Sequence, residues 1–367
     1  MKGGAVMARL GDVCEIQAGG TPSRSNATFW EDGNIPWVKI SDFSGKYLKK
    51  TSEFITEDGL NNSAAKIFPK GTILYSIFAT LGETCVLDID AATNQAIAGI
   101  KIINNQLESD YLYYFLLSLK PYINQIGRGV AQNNINLKIL REIEIPIPDI
   151  ETQRHIAAVL DKVSDVIRLR KQQLAKLDDL IKARFVEMFG DPILVEKNGN
   201  LSQLGRICEL KAGLFVKADY IQKESKDGLY PCFGGNGCRG YVPDYTHDGD
   251  FPIIGRQGAL CGNVKYAQGK FHATEHAIVV TPLIPMNRYW IYHLLAHLNL
   301  NRYATGAAQP GLAVNNLEKI HVQIPKHTEQ EHFAKFANQA NNSKAAVQKA
   351  LDETQLLFDS LMQKFFG

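Results

Sequence analysis

No run of apolar residues is long enough to cross a membrane. The longest, around Tyr111 to Leu117, falls far short of the roughly 20 residues a spanning helix needs. The start, MKGGAVMARLGDV, has no apolar signal core, so a cytoplasmic protein is expected, with Met1 to Met7 a loose tail. Six cysteines in 367 residues are too few for a disulfide scaffold. Cys14 and Cys208 fall in short strand-like runs and read as buried thiols. Charge of one sign is also missing. The net charge is +2, so composition does not announce a nucleic-acid binder.

Catalytic signatures are scarce as well. The only Gly-Lys pairs, at 45–46 and 269–270, precede Tyr47 and Phe271, so there is no phosphate-binding loop. Asp149 and Asp244 follow prolines, but the acidic-x-Lys triplets Glu209-Leu-Lys211 and Glu224-Ser-Lys226 lie ahead of Asp244 and in a different domain from Asp149, so no nuclease core is assembled. Phe233-Gly-Gly-Asn-Gly237 matches a cofactor-binding pattern of methyltransferases, but no helix-forming run and no catalytic Asn/Asp-Pro-Pro-Tyr/Phe accompany it. His293 and His297, and His272 and His276, are spaced by four, yet no third ligand is fixed beside either pair. No cofactor and no metal are expected.

What the chain does have is a long amphipathic stretch, 153–190. Ile156, Leu160, Val163, Ile167, Leu174, Leu177, Ile181 and Met188 recur every three or four residues, which keeps one apolar stripe on a helix. Only Arg170 and Arg184 interrupt it. At about 1.5 Å per residue the rod would be roughly 55 Å long and cannot bury its stripe alone. A partner lies 177 residues later: Phe333, Ala337, Ala340, Val347, Leu351, Phe358, Leu361 and Phe365 share the register, and MFG at 188–190 is answered by FFG at 365–367. Two matched helices in one chain predict an antiparallel coiled-coil pair.

The globular parts are duplicated too. LGDVCEIQAG at 10–19 lines up with LGRICELKAG at 204–213, ATNQAI at 92–97 with ATEHAI at 273–278, GVAQ at 129–132 with GAAQ at 306–309, and EIEIPIP at 142–148 with KIHVQIP at 319–325. The offset shrinks from 194 to 177, so the first copy carries 17 more residues, all before Gly129. Four segments follow: 1–148 a first globular domain, 149–190 a central helix, 191–326 a second globular domain, and 327–367 a final helix. Short β-rich runs (72–78 and 277–281), a helix (109–118 and 287–296), a Gly- and Asn-rich loop, a short helix and a last strand recur in both copies. The predicted class is therefore α+β: two pseudo-symmetric globular domains joined by two long antiparallel helices.

This order of motifs resembles the specificity subunit of type I restriction-modification systems. The resemblance is carried by Leu10-Gly-Asp-Val13, Gly19-Gly-Thr-Pro22, Ile35-Pro-Trp-Val-Lys39, Gly127-Arg-Gly-Val-Ala-Gln132, Ile145-Pro-Ile-Pro148, Glu151-Thr-Gln-Arg-His-Ile156 and Met188-Phe-Gly-Asp191. In the second half it is carried by Gly234-Gly-Asn-Gly237, Gly255-Arg-Gln-Gly-Ala259, Gln309-Pro-Gly-Leu312 and Glu329-Gln-Glu-His-Phe333. It covers nearly the whole chain. It implies a non-catalytic subunit whose two target-recognition domains each read half of a bipartite site on double-stranded DNA, with the helix pair as ruler. It implies methyltransferase subunits, two of them, as partners, and motor-nuclease (restriction) subunits joining through the complex. The chain departs from the commonest pattern in the small size of its second domain and in stopping at Gly367.

Base reading needs Arg, Asn and Gln at base edges and other polar groups on phosphates. The candidates in the first half are Thr21, Ser23, Arg24, Asn26, Lys39, Lys46, Arg128, Gln132, Asn133 and Asn134. In the second half they are Lys217, Asn236, Arg239, Arg256, Gln257, Thr305 and Gln309. Polar Gly- and Asn-rich loops are also what solvated turns look like. Residues 1–150 carry 14 basic and 16 acidic side chains and residues 191–327 carry 14 and 11, so neither domain is a strong electrostatic clamp alone. The competing reading is a pseudo-symmetric coiled-coil scaffold that binds proteins and never DNA.

Overall fold

Proline ends the last strand of each globular repeat and a polar side chain then starts a long helix. In this computed structural model, which describes residues 6–127, 134–194, 201–258, 260–306 and 310–367 (backbone only at 126 and 127), the two helices are Ile150–Phe189 and His327–Phe366, 40 residues each. Asp149 caps the first: its carboxylate accepts from the Thr152 N–H at 2.9 Å and from the Thr152 hydroxyl at 2.7 Å, satisfying an otherwise orphaned donor. Gly190, at φ 75°, ends that helix in the left-handed conformation open to glycine. No helix among the described residues is long and apolar enough to cross a membrane.

The chain divides into two compact units, 1–169 with 350–367, and 170–349. In the first unit a five-stranded sheet runs Cys14–Ala18, Ile97–Ile102, Ile73–Ser76, Thr84–Leu87, Tyr47–Leu48, antiparallel except at its last edge. A second sheet orders Glu53–Ile55, Ile35–Val38, Ala91–Thr93 and Ile67–Phe68, and its central pair is parallel, Trp37 opposite Ala92. The second unit repeats the plan. One sheet runs Cys208–Ala212, Ala277–Pro282, Phe251–Gly255, Val264–Ala267. The other runs Gly237–Val242, Tyr230–Gly234, Lys270–Ala273, His247–Asp248, with Cys232 opposite His272 in a parallel pair. In each unit the run before the LGxxC motif pairs with the strand before the proline exit: Val6–Arg9 with Glu144–Ile147, and Leu201–Gln203 with His321–Gln323. Cys14 and Cys208 are buried, and burial pushes both thiols up to about 12.

Each unit builds its core on the ends of both long helices. In the first, Ile156, Ala157 and Leu160 are buried with Tyr111, Leu112, Phe115 and Met362, and Phe358, Leu361, Phe365 and Phe366 pack against them. In the second, Ile181 and Phe185 are buried with Trp290, Leu294, Phe333, Ala337 and Ala340, with Met188 and Phe189 alongside. The start of one helix thus meets the end of the other in the first unit, and the reverse holds in the second, so the pair is antiparallel. Between these ends the stripe is thinner. Val163 and Ile167 in the first unit, and Leu174, Leu177 and Val347 in the second, are half-buried, while Leu351 is buried. Asp178 and Lys344 pair across the helices within the second unit.

One glutamine per unit locks helix to domain. Gln153, fully buried, accepts from the Glu108 N–H at 2.9 Å and donates to the Gln106 and Pro148 carbonyls at 2.7 and 2.8 Å. Gln330, 1% exposed, accepts from the Asn287 N–H and donates to the Pro325 carbonyl, both at 2.9 Å. Glu108 and Asn287 each precede the helix that packs on the large sheet, Ser109–Ser118 and Arg288–His297. A primary amide can accept from one backbone group while donating to another, which is why this position takes Gln.

Alanine at Gln153 or at Gln330 leaves buried backbone groups unpaired, and each should cost about 1–3 kcal/mol. Thermal unfolding should therefore show similar losses for the two variants. A second test concerns His293, 8% exposed, whose Nε2 has no partner and whose pKa burial lowers to about 3. Because the folded value lies below the unfolded one, its share of stability is full above about pH 6.5 and declines as pH falls toward 3. His293→Leu should flatten the dependence of the melting temperature on pH below 6.5, and an unchanged slope would contradict this burial.

Candidate nucleic-acid interface

The two sheets of each unit meet where the parallel strands end: the Gly20 N–H donates to the Thr93 carbonyl and the Leu214 N–H to the Ala273 carbonyl, both at 2.8 Å. Gly19 and Gly213 make the crossing possible: a Cβ on Gly19 would sit 2.0 Å from Thr93 Oγ1, and one on Gly213 would sit 2.0 Å from the Ala273 carbonyl oxygen. Only glycine fits so close a backbone approach.

In the first unit Thr21 hydrogen-bonds Gln95. The neighbouring Ala96 carbonyl accepts from the Ile77 N–H at 2.8 Å, and Phe78 bridges to Asn134. Thr21, Gln95, Phe78 and Asn134 therefore gather at one edge. A second cluster centres on Glu53, which pairs with Arg24 and, at 2.6 Å, with Lys39. Arg24 also lies 3.6 Å from the centre of the Trp30 ring, a cation–π stack. Burial would raise the Glu53 pKa, but the hydrogen bonds from Lys39 and Arg24 outweigh it and hold it below the ordinary value. Asn26 caps the turn Ala27–Phe29, accepting from the Thr28 N–H at 3.2 Å, and the Ser23 hydroxyl bonds that of Ser25 at 2.8 Å.

Lys46 is placed differently. Its side chain is 15% exposed and its ammonium lies 2.5 Å from Asp161 on the first long helix and 2.9 Å from Asp110. Tyr114 also donates to Asp161, at 2.6 Å. Burial alone would lower the Lys46 pKa, yet the two carboxylates raise it. Lys46 thus fastens the sheet edge to the long helix.

In the second unit the Arg256 N–H donates to the His276 carbonyl at 2.9 Å, and Gln257 and Thr305 both bridge to Gly311. Gly235 stands between the His276 and Gln257 carbonyls, which a Cβ there would meet at 3.3 and 3.4 Å. Its neighbour Asn236 is exposed and accepts from Asn263 at 3.3 Å. Arg256, Gln257, Thr305 and Asn236 are therefore brought together. Arg239 is exposed and runs along Gly234, and Lys217 is exposed on the loop after Gly213 beside Leu214 and Phe215, 62% and 70% exposed. Arg128, Gln132, Asn133 and Gln309 lie outside the described residues.

Sequence reading missed Glu53, which holds two candidate cations, and Gln95, although Gln95 stands inside the repeated ATNQAI motif. Phe78, 44% exposed, was hidden in a run that reads as interior strand. No group of three or more His, Cys, Asp or Glu residues that could hold a metal ion occurs among the described residues.

Lys46→Met should lower stability by about 1–3 kcal/mol, toward the low end because Asp161 is 38% exposed and solvent screens the pair. Urea unfolding measures this. Unchanged stability with weakened DNA binding would instead make Lys46 a phosphate contact.

Known proteins share this arrangement. The chain is 32% identical over 342 residues, 89% of its own length and 84% of the relative's, to the type I restriction enzyme EcoprrI specificity subunit of Escherichia coli. It is 25% identical to the MjaIX specificity subunit of Methanocaldococcus jannaschii, covering 98% of this chain and 92% of that one. In fold it is similar to the crystal structure of a type I restriction-modification S subunit from M. genitalium, with a TM-score of 0.63 at 18% identity over 99% of this chain and 96% of that one. It is also similar to a chain from a type I R-M system solved to describe complex assembly and conformational transition, with a TM-score of 0.58 at 19% identity over 100% and 98%. The sequence profile of the type I restriction modification DNA specificity domain matches residues 3–179 and again 196–353. Matched twice and over most of its length, this chain belongs to the type I restriction modification DNA specificity domain family.

Proposed function

We propose that the chain is the non-catalytic DNA-specificity subunit of a cytoplasmic type I restriction-modification complex. Each globular unit, 1–148 and 191–326, reads one half of a bipartite site on double-stranded DNA. The observation that carries this reading is the duplication itself. Two units with the same strand pairings and the same glutamine lock present different polar side chains at matching edges: Thr21, Gln95 and Asn134 in one, Asn236, Arg256, Gln257 and Thr305 in the other. A shared frame with divergent edge residues suits recognition of two unlike half-sites, because base identity is read by side chains and position is held by the frame.

The two long helices act as the spacer. Each, at 40 residues, is about 60 Å long, ample for half-sites one helical turn, about 34 Å, apart. The near balance of charge in each domain leaves phosphate binding to be shared with methyltransferase subunits; two of them dock on the chain, and restriction subunits join through the complex. The specificity subunits of E. coli and M. jannaschii noted above support this assignment by their likeness.

Replacing 20–148 by the matching segment of a relative should change one half of the methylated motif and leave the other half and the spacing unchanged. Inserting seven residues into each long helix, between 167 and 174 and between 347 and 351, should lengthen the tolerated spacer with both half-sites kept. Sequencing the methylated products of the complex with its methyltransferase subunits reads both. An unchanged motif after the domain exchange would refute the assignment.

A further inference from the structure

We propose that Phe78 is a base-reading residue of the first unit, placing its ring against the C5-methyl group of a thymine in the major groove, at the position that Gln257 occupies in the second unit. The inference rests on the DNA-reading function proposed above.

A single exposed aromatic ring would say little by itself, since folded surfaces carry many apolar groups. Here three observations coincide. The first is equivalence within the repeat. Ile77 donates to the Ala96 carbonyl at 2.8 Å and its own carbonyl accepts from Ile135 at 3.0 Å; Arg256 donates to the His276 carbonyl at 2.9 Å and its carbonyl accepts from Leu312 at 2.8 Å. The next residue in each copy bridges to the segment that follows the loop, Phe78 to Asn134 and Gln257 to Gly311. Phe78 and Gln257 therefore stand at the same point of the frame, and both are exposed.

The second observation is rigidity. Ser76, fully buried, donates through its hydroxyl to the Thr80 carbonyl and accepts from the Glu83 N–H at 2.7 Å, while the Gly82 N–H donates to the Ser76 carbonyl at 3.0 Å. The turn tip bearing Phe78 is clamped at its base, so presenting the ring costs little ordering on binding. The third is backbone strain. Ala79 has φ 61° where the second copy has Gly258 at φ 87°. A non-glycine residue in this region pays for its conformation, and the turn keeps Phe78 outward even so.

Phe lacks hydrogen-bonding atoms in its side chain, and among base edges the thymine methyl is the apolar contact of the major groove. Gln at the equivalent place suits adenine, which it contacts in bidentate fashion. The two units would thus read their half-sites at this point by different chemistry on one frame.

The test uses the complex of this chain with its methyltransferase subunits and a duplex library randomised across the site, with methylated molecules sequenced. For F78A the thymine preference at one position of one half-site should fall by about tenfold, with the other half-site unchanged. F78Q should move the preference at that position toward adenine, and A79G, which relieves the strain and keeps the ring, should leave the motif intact. An unaltered preference in both F78A and F78Q would overturn the proposal. So would equal loss of both half-sites, or slower methylation with an unaltered motif, which would mark Phe78 as a contact to a protein partner. A wild-type complex that selects no motif would overturn the DNA-reading function itself, and this inference with it.

Discussion

A helix of 40 residues with one apolar stripe cannot stand free in water, and the rest of the architecture answers that constraint. Each helix end is covered by a globular unit as well as by the partner helix, so Leu160, Phe185 and Phe333 are almost wholly buried. Midway along the helices, Ile167, Leu174 and Val347 are only half-buried. Burial of a large apolar side chain contributes about 1.5–3 kcal/mol, so the anchoring is concentrated at the ends.

The second organising feature is the economy of the duplicated frame. Gln153 and Gln330 make matching hydrogen bonds, Gly19 and Gly213 permit matching close approaches, and both parallel strand pairs keep the same order. Against this common frame the edges differ. The first unit ties Arg24 and Lys39 to Glu53 and anchors Lys46 by two carboxylates. The second leaves Lys217 and Arg239 exposed. Cations of the first unit are thus tied to carboxylates, whereas these two of the second are not buried against one.

Periodicity and repetition made much of this legible before any coordinates. Of the stripe residues, Ile156, Leu160 and Ile181 of the first helix and Phe333, Ala337, Ala340 and Leu351 of the second are buried, where a 3.6-residue period puts one face of so long a helix. Phe185 and Ala157 were passed over although they fall in step with Ile181 and Leu160. The interface was less legible, for two physical reasons. Ion pairs such as Lys46 with Asp161 join residues 115 apart in sequence, and no local pattern carries such a distance. Exposure at a strand end, as at Phe78, depends on a single left-handed residue, Ala79, which alternation of residue types does not reveal. Asn26 illustrates the converse: read as a DNA contact, it also has a local task as the cap of a turn.

The proposed function requires that one chain supply two readers, one in each unit. Mapping of methylated bases across the genome of cells that express this chain with its methyltransferase partner, and of cells from which the chain alone is deleted, tests it most directly. The account predicts a motif of two short defined stretches separated by a constant number of unspecified bases, present only when the chain is present. A single uninterrupted motif, or a methylation pattern indifferent to the deletion, would contradict it.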